Sequence, residues 1–427
     1  MKKRFRFSIY VCLLFIIAFY ISCNTNNSGG KKNYGEKTLE LIKIVENNPN
    51  IKSLLIASIE KAKAINPDTN TNPAQSLEAY YTFVSWAEKS MPWSLLKNTG
   101  YPKLYDKIDQ SLSYFFFIND QPLPELEGKG YFNNSLQYVE PYSSWLISFD
   151  KSWGNYLDTK ESWNENYYQM ALSEDKFGLK NGWYEDPSNW KTFNQFFARH
   201  LKSPGKRPIA NPDDNSIVVS HSDSEPQGVC KIDTNSNIIE KQGVAIKSGT
   251  LYSVEKLIGE DSKYKNEFAG GTFTHSFLDV GDYHRYHFPL SGVVKEVRII
   301  PAQNPSGGYI TWDSVNHRYI FDPSSVGWQS LETRGCVILE TEEFELVALL
   351  PIGMSPVSSV NFEENIKMGT QVRKGDMLGY FLFGGSDFIM IFQKKAEFIL
   401  DSPKKENSQS YKHVLMGERI GHLKKSK

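Results

Sequence analysis

The sequence predicts an α+β protein, with a helical, aromatic-rich N-terminal module followed by a β-rich domain. Three observations carry this. Apolar residues recur at helical spacing through the early part of the chain. Seven of the nine tryptophans lie before residue 200, in a chain of 427 residues that is 14% aromatic. After Pro208 the texture changes to short β-rich runs separated by turns. The length allows one large or two medium domains with a substantial core.

The first residues read as a targeting signal. Lys2, Lys3, Arg4 and Arg6 form a positive start, and residues 9–21 form an apolar run. That run is shorter than the ~20 residues of an ordinary membrane span. It ends at Ser22-Cys23 and is followed by a polar, flexible stretch, 24–32. A small residue before a cysteine at this place resembles the processing site of bacterial lipoproteins. The resemblance implies a signal peptide over 1–22, a lipidated Cys23, a linker over 23–35, and an exported, membrane-anchored protein on the periplasmic or cell-surface side. Tyr20 departs from the aliphatic residue usual three places before the cysteine. An uncleaved N-terminal anchor is the alternative reading.

A net charge of −1 leaves no electrostatic footprint for nucleic acid. Beyond Cys12 and Cys23 there remain only Cys230 and Cys336. An exported protein could join them in one disulfide, but two cysteines do not predict it. No CxxC or clustered His/Cys spacing points to a metal.

An accessory module is expected over 36–190. Leu39, Ile42 and Val45, then Leu54, Leu55 and Ile59, predict two short helices over 36–66, interrupted at Pro49. Further amphipathic segments are expected over 74–93, 105–118 and 142–156. Asp186-Pro187-Ser188-Asn189 predicts a turn into a helix, with Ser188 or Asn189 as N-cap, ending at Pro204-Gly205. The second domain is expected over 191–427. Strands are predicted over 216–220, 292–300, 309–321 and 344–351. The run 371–376 leads into 377–382 as a hairpin, and 387–392 is a further strand. The lysine-rich C-terminus reads as a solvated tail.

The tetrad Phe383-Gly384-Gly385-Ser386 precedes an apolar strand. Gly-Gly-Ser is ordinary turn chemistry, yet a serine hydroxyl at a tight turn can reach the preceding carbonyl, and glycine does not block that approach. The run Asp282-Tyr283-His284-Arg285-Tyr286-His287 offers two histidines to this serine. Taken alone, each histidine is more often structural than catalytic.

Together these landmarks resemble the phosphatidylserine decarboxylase family. Phe193-Asn194-Gln195-Phe196-Phe197-Ala198-Arg199 and Arg207-Pro208-Ile209 come first. Ser220-His221-Ser222-Asp223-Ser224 stands where the family has a Ser-Pro-Ala-Asp-Gly type of sequence. Gly270-Gly271, the 282–289 stretch, Thr333-Arg334, Gly353, Ser359-Val360 and Gly384-Gly385-Ser386 follow in order. The resemblance spans roughly 190–425. It departs at His221 and Ser224, which replace Pro and Gly, and at Asp387, where many relatives have Thr or Ser.

The resemblance implies a pyruvoyl-dependent carboxy-lyase that makes its own cofactor. Ser386 would be the nucleophile, Gly385-Ser386 the cleaved bond, His287 the base and Asp223 its orienting partner. A dehydroalanine left by β-elimination would hydrolyse to a pyruvoyl group at position 386. His284 is the expected proton donor to the substrate carbon after carbon dioxide leaves. His284 and His287 share a face on a helical turn and oppose each other on an extended segment. The small fragment beginning at 386 would stay as a partner of the large one, and a homo-oligomer is admitted.

Phosphatidylserine is the default substrate, because lipidation would hold the enzyme at a bilayer. Trp153 and Leu157-Asp158-Thr159-Lys160-Glu161-Ser162-Trp163 resemble an accessory region of longer relatives, some of which act on free aromatic amino acids such as tryptophan. A structural cap is the plainer reading of these helices. A surface lipoprotein that keeps the fold without activity is the rival from another class. Lys374-Gly375-Asp376 resembles carrier hairpins but lacks their flanking methionines. Arg285 suits either an anionic ligand or a structural ion pair.

Overall fold

The computed structural model describes residues 33–90, 104, 110–129, 134–239, 253–302, 310–321, 327–353, 360–384 and 386–425. The expected signal peptide, Cys23, most of the expected linker and Gly385 lie outside the described residues, as do parts of the expected 74–93 and 105–118 segments. Gly35–Lys427 form one compact unit.

The helical part opens with α1 (Glu36–Asn47) and α2 (Pro49–Ile65). Pro49 occupies the first turn of α2, where its missing N–H costs nothing. Then come α3 (Leu77–Ala87), α4 (Gln110–Asn119), α5 (Tyr142–Leu157) and α6 (Glu165–Ser173). Ser76 caps α3 by accepting from Ala79 N. The next helix, α7 (Phe193–Phe197), is a single turn capped by Thr192, which accepts from Gln195 N. The expected cap at Ser188 or Asn189 is corrected: Asp186 takes up Ser188 N and closes a separate short turn.

In the β part, β1 (Ile217–Val219), β2 (Glu225–Ile232) and β3 (Ile238–Ile239) precede α8 (Val254–Ile258). There follow β4 (Thr272–Leu278), β5 (Arg285–His287), β6 (Gly292–Ile300), β7 (Ile310–Asp313) and β8 (Arg318–Phe321). Next are β9 (Thr333–Thr341), β10 (Glu345–Gly353), β11 (Val360–Phe362) and β12 (Gln371–Val372). The last are β13 (Met377–Phe381), β14 (Ser386–Phe392), β15 (Ala396–Leu400) and β16 (Arg419–Lys425). The expected C-terminal tail is thus a strand through Lys425, clamped between β1 and β15, with Arg419, Lys424 and Lys425 exposed.

Eight strands form the main antiparallel sheet in the order β12-β6-β9-β10-β14-β4-β2-β3. Smaller sheets run β11-β13-β5 and β1-β16-β15, and β7-β8 is a hairpin. A lone hairpin is marginal in water. This one is held by α4: Gln110 bonds both the N–H and C=O of Tyr319, whose ring meets Tyr114 and Phe117.

The strand period of two sorts the main sheet into two cores. Val337, Leu339, Val347, Leu349, Phe388, Met390 and Phe392 belong to one, which also takes Trp153, Phe193, Phe196 and Phe197 from the helical part. Cys336, Ile338, Ala348, Leu350, Ile389 and Ile391 belong to the other, with Val254, Leu257 and Trp328. Every residue of β14 is buried, as the apolar run 388–392 requires of a central strand. Cys230 and Cys336 are both free, so the admitted disulfide does not form. No helix among the described residues is long and apolar enough to cross a membrane.

Candidate active site

Ser386 is the first residue of β14, between Leu278 of β4 and Gly353 of β10. Alternation puts its side chain on the face of Phe388, Met390 and Phe392. It is fully buried, and its Oγ has no hydrogen-bond partner among the described residues. A buried hydroxyl without a partner is costly, and such exceptions concentrate at reactive sites. The approach to it is set by Phe383, whose backbone N–H donates to Asn194 Oδ1 at 3.2 Å. The Phe383 ring is met edge-on by Trp153, Phe193 and Phe197, with centroids 5.9, 5.5 and 5.4 Å away. The helical module therefore buttresses the segment that leads to the serine.

His287 lies on β5. Its Nδ1–H donates to the Gly375 carbonyl at 2.8 Å, which leaves Nε2 as the acceptor of the Tyr283 hydroxyl at 3.1 Å. Gly375 sits at φ +89°, and a Cβ there would come within 2.6 Å of the Ile209 side chain. Only glycine fits that turn. Burial pulls the His287 pKa down to about 4, against the Gly375 carbonyl and the Asp223 charge, so the ring is a neutral base. Lys374, next in the turn, is buried and gives its Nζ to the carbonyls of Asn211, Asp214 and Ile217. It is a structural tether and displays nothing for carriage.

Asp223 is buried, but it does not hydrogen-bond His287. Its oxygens take Arg207 Nε at 2.9 Å and Nη2 at 2.6 Å, and Oδ1 also accepts Met416 N. Arg207 stacks over Trp183. The orienting contact expected from Asp223 comes instead from the Gly375 carbonyl, while the Asp223 charge still acts on His287 through space.

His284 faces different partners from His287. Its Nδ1–H donates to Asp282 O, its ring stacks on Phe197 with centroids 3.8 Å apart, and its Nε2 has no partner among the described residues. Burial, then the Arg199 charge, lowers its pKa to about 3. Arg199 braces the same loop through Gly281 O and Asp282 O. Arg285 donates to Ala198 O and pairs with Glu363, which settles it as structural.

Asp387 points to the opposite face of the sheet. There its carboxylate accepts His275 Nδ1–H at 2.9 Å and the Gln329 amide at 3.1 Å. Sequence reasoning passed over Tyr283 and Asn194 as individual residues and treated His221 only as a departure. His221 is buried, stacked on Phe388, and also carries an Nε2 without a partner among the described residues. The signal that could have found it was an imidazole placed two residues before Asp223.

Comparison with known proteins agrees with this geometry. The family described as Phosphatidylserine decarboxylase matches residues 193–422, more than half of the chain. A "Phosphatidylserine decarboxylase proenzyme" of Clostridium botulinum is 30% identical over 320 residues, covering 71% of this chain and 97% of that one. "Phosphatidylserine decarboxylase proenzyme 2" of Oryza sativa is 32% identical over 280 residues, 65% of this chain. The chain spans only 41% of that rice relative's length. "Decarboxylase iboD" of Amanita muscaria is 27% identical over 271 residues, 57% of this chain and 75% of that one. Enzymes of the matched family use a pyruvoyl group made from an internal serine. With more than half its length matched and a bacterial proenzyme covered almost end to end, the chain belongs to the phosphatidylserine decarboxylase family.

Proposed function

We propose that the chain is a proenzyme that cleaves itself at Gly385-Ser386 and then decarboxylates phosphatidylserine to phosphatidylethanolamine and carbon dioxide. The observation that carries this is Ser386, a buried serine with a partnerless Oγ on the sheet face where Phe388 stacks on the neutral ring of His221. A partnerless buried hydroxyl fits a side chain kept for reaction better than one kept for stability. A pyruvoyl group at position 386 would supply an electron sink while carbon dioxide leaves.

The chain's own residues do the rest. His287 serves self-processing as a base, its tautomer fixed by Gly375 and the imidazolium it becomes favoured by the Asp223 charge. His284 returns a proton to the substrate carbon: neutral, with its Nδ1–H on Asp282 O, it must first take that proton up at the Nε2 that no described residue occupies. Phe197 fixes that ring by stacking. After cleavage, β14 stays laddered to both β10 and β4, so the small fragment remains part of the fold.

A second reading, decarboxylation of a free aromatic amino acid, is favoured by the aromatic helical module reaching the site through Trp153, Phe193 and Phe197. It is supported too by the relative named only as a decarboxylase. Carbon dioxide release from phosphatidylserine vesicles and from free tryptophan separates the two. Release from vesicles alone is expected; release from tryptophan alone overturns the phospholipid assignment. An intact, inactive chain would instead support the binding lipoprotein.

A lipid on Cys23 would place the enzyme at a membrane surface, exported from the cytoplasm. Membrane fractionation of wild type and Cys23→Ser tests this. Equal membrane recovery of both contradicts the anchor.

A further inference from the structure

The turn that leads into β5 hangs on Asp282, and that residue is held from far along the chain. Its backbone carbonyl accepts the His284 Nδ1–H at 3.0 Å and Arg199 Nη2 at 2.9 Å. Its carboxylate accepts Asp279 N on Oδ2 and His413 Nε2–H on Oδ1, both at 2.8 Å. His413 lies 131 positions further on, in the segment 401–418 that joins β15 to β16. The same segment pairs Val414 with Ser224 and gives Met416 N to Asp223 Oδ1. It therefore touches both motifs from which the site is built.

The carboxylate is nearly enclosed while the imidazole is not, with side-chain exposures of 12% for Asp282 and 41% for His413. Burial raises the Asp282 pKa to about 6, against the bond from His413, so at neutral pH it is an enclosed anion that depends on its donors. For His413 burial opposes the charge, but the pairing with Asp282 outweighs it and the pKa is raised. The other carboxylates whose charge reaches His413 are engaged elsewhere, Asp223 by Arg207 and Glu225 by Lys405. A fully exposed pair would be worth little. This one steadies the residue whose carbonyl His284 uses.

Resting on the decarboxylase reading above, we propose that His413 is a positioning residue for His284 in the decarboxylation step. Through the Asp282 carboxylate it fixes the 279–282 turn, and with it the carbonyl that sets the His284 tautomer. Phe197 holds the face of the His284 ring, so the Asp282 carbonyl settles how the ring is turned within its plane. Nε2 is thereby kept for the proton, and the same carbonyl favours the imidazolium once that proton is taken up. His413 acts through Asp282 and carries no proton of the reaction itself. It belongs to the fragment that begins at position 386 and His284 to the other, so the contact joins the two after cleavage. His287 draws its orientation from Gly375, on a different turn, and self-cleavage does not call on His413.

The test uses the full chain as wild type, His413→Gln, His413→Asn and His413→Leu. Self-cleavage is followed on denaturing gels and folding by thermal unfolding. Carbon dioxide release is measured per cleaved chain, on whichever of phosphatidylserine vesicles and free tryptophan the wild type accepts. Gln can set its amide nitrogen where Nε2 lies, and is expected to keep kcat near wild type. Asn falls short of Asp282 and Leu has no donor, so both are expected to lower kcat at least ~10-fold, as a misplaced acid–base group does, with KM and cleavage unchanged. A packing role would not separate Gln from Asn, and that comparison stands even if the Leu chain fails to fold. Wild-type kcat in the folded Asn chain overturns the proposal, as do equal losses in Gln and Asn or a loss confined to KM. A cleavage rate that falls by the same factor as kcat also overturns it, since the effect would not be particular to His284. A wild-type chain that cleaves but decarboxylates neither substrate overturns the decarboxylase reading and this proposal with it.

Discussion

Three buried, neutral imidazoles make the fold sensitive to acid. His221, His284 and His287 are buried, and burial holds their pKa values near 3, 3 and 4. Unfolded, each would titrate near its ordinary 6.5. Below that value the unfolded chain takes up protons that the folded chain refuses, so stability is full above pH 6.5 and falls as the pH drops toward 4. From pH 7 to pH 5 each ring contributes a loss of about 2 kcal/mol, or about 6 kcal/mol for the three. Asp282 works the other way. Burial raises its carboxyl to about 6, against its bond to His413, so it takes up a proton on acidification and returns about 1 kcal/mol. His413 is raised too, its pairing with Asp282 outweighing burial, and it adds in the same direction as Asp282. The rings and Asp282 together leave a loss of about 5 kcal/mol, which His413 lessens; this is a large part of the 5–15 kcal/mol typical of folded domains. Urea unfolding of the uncleavable Ser386→Ala chain at pH 7, 6 and 5 reads it directly. His221→Phe in that background should recover about 2 kcal/mol of the loss at pH 5, because one proton fewer is taken up on unfolding. Stability that stays level or rises from pH 7 to pH 5 would refute the assignment of these rings as buried and neutral.

Other perturbations follow from the same contacts. Arg207→Met leaves the Asp223 carboxylate buried with only Met416 N for company, and should cost about 3–5 kcal/mol in urea unfolding. Phe383→Ala removes the ring that Trp153, Phe193 and Phe197 enclose; it should cost about 3–5 kcal/mol and slow the appearance of fragments on a gel. The two fragments of the cleaved chain should co-elute on size exclusion in native buffer and separate only in denaturant, because β14 is laddered on both sides.

Much of this was legible in the sequence wherever the signal is local. The apolar run 388–392 reads as a strand, and it lies in β14. The change of texture near Pro208 marks the passage from helices to sheet. The ordered motifs name Asp223, His284, His287 and Ser386 without any structure. Pairings between distant residues were not legible. Asp223 reads as the natural partner of His287, yet Arg207 brings a bidentate fork that a lone imidazole cannot match. Asp387 adjoins Ser386 in sequence, but strand alternation sends it to the opposite face and to His275. The C-terminal lysines suggest a tail, whereas Ile420 and Leu423 are buried by strand pairing with β1 and β15. His221 was visible as a departure, but its meaning depended on a stack with Phe388, 167 positions away, that no local pattern announces.

The central claim is that Ser386 turns itself into the cofactor. Intact-mass analysis of the purified wild-type chain tests it most directly. The account predicts a small fragment of residues 386–427 whose N-terminus is a pyruvoyl group, lighter by one ammonia than the same fragment beginning with serine. Ser386→Ala should remain a single chain. A wild-type protein that stays full length, or a fragment that begins with an unmodified serine, would contradict it.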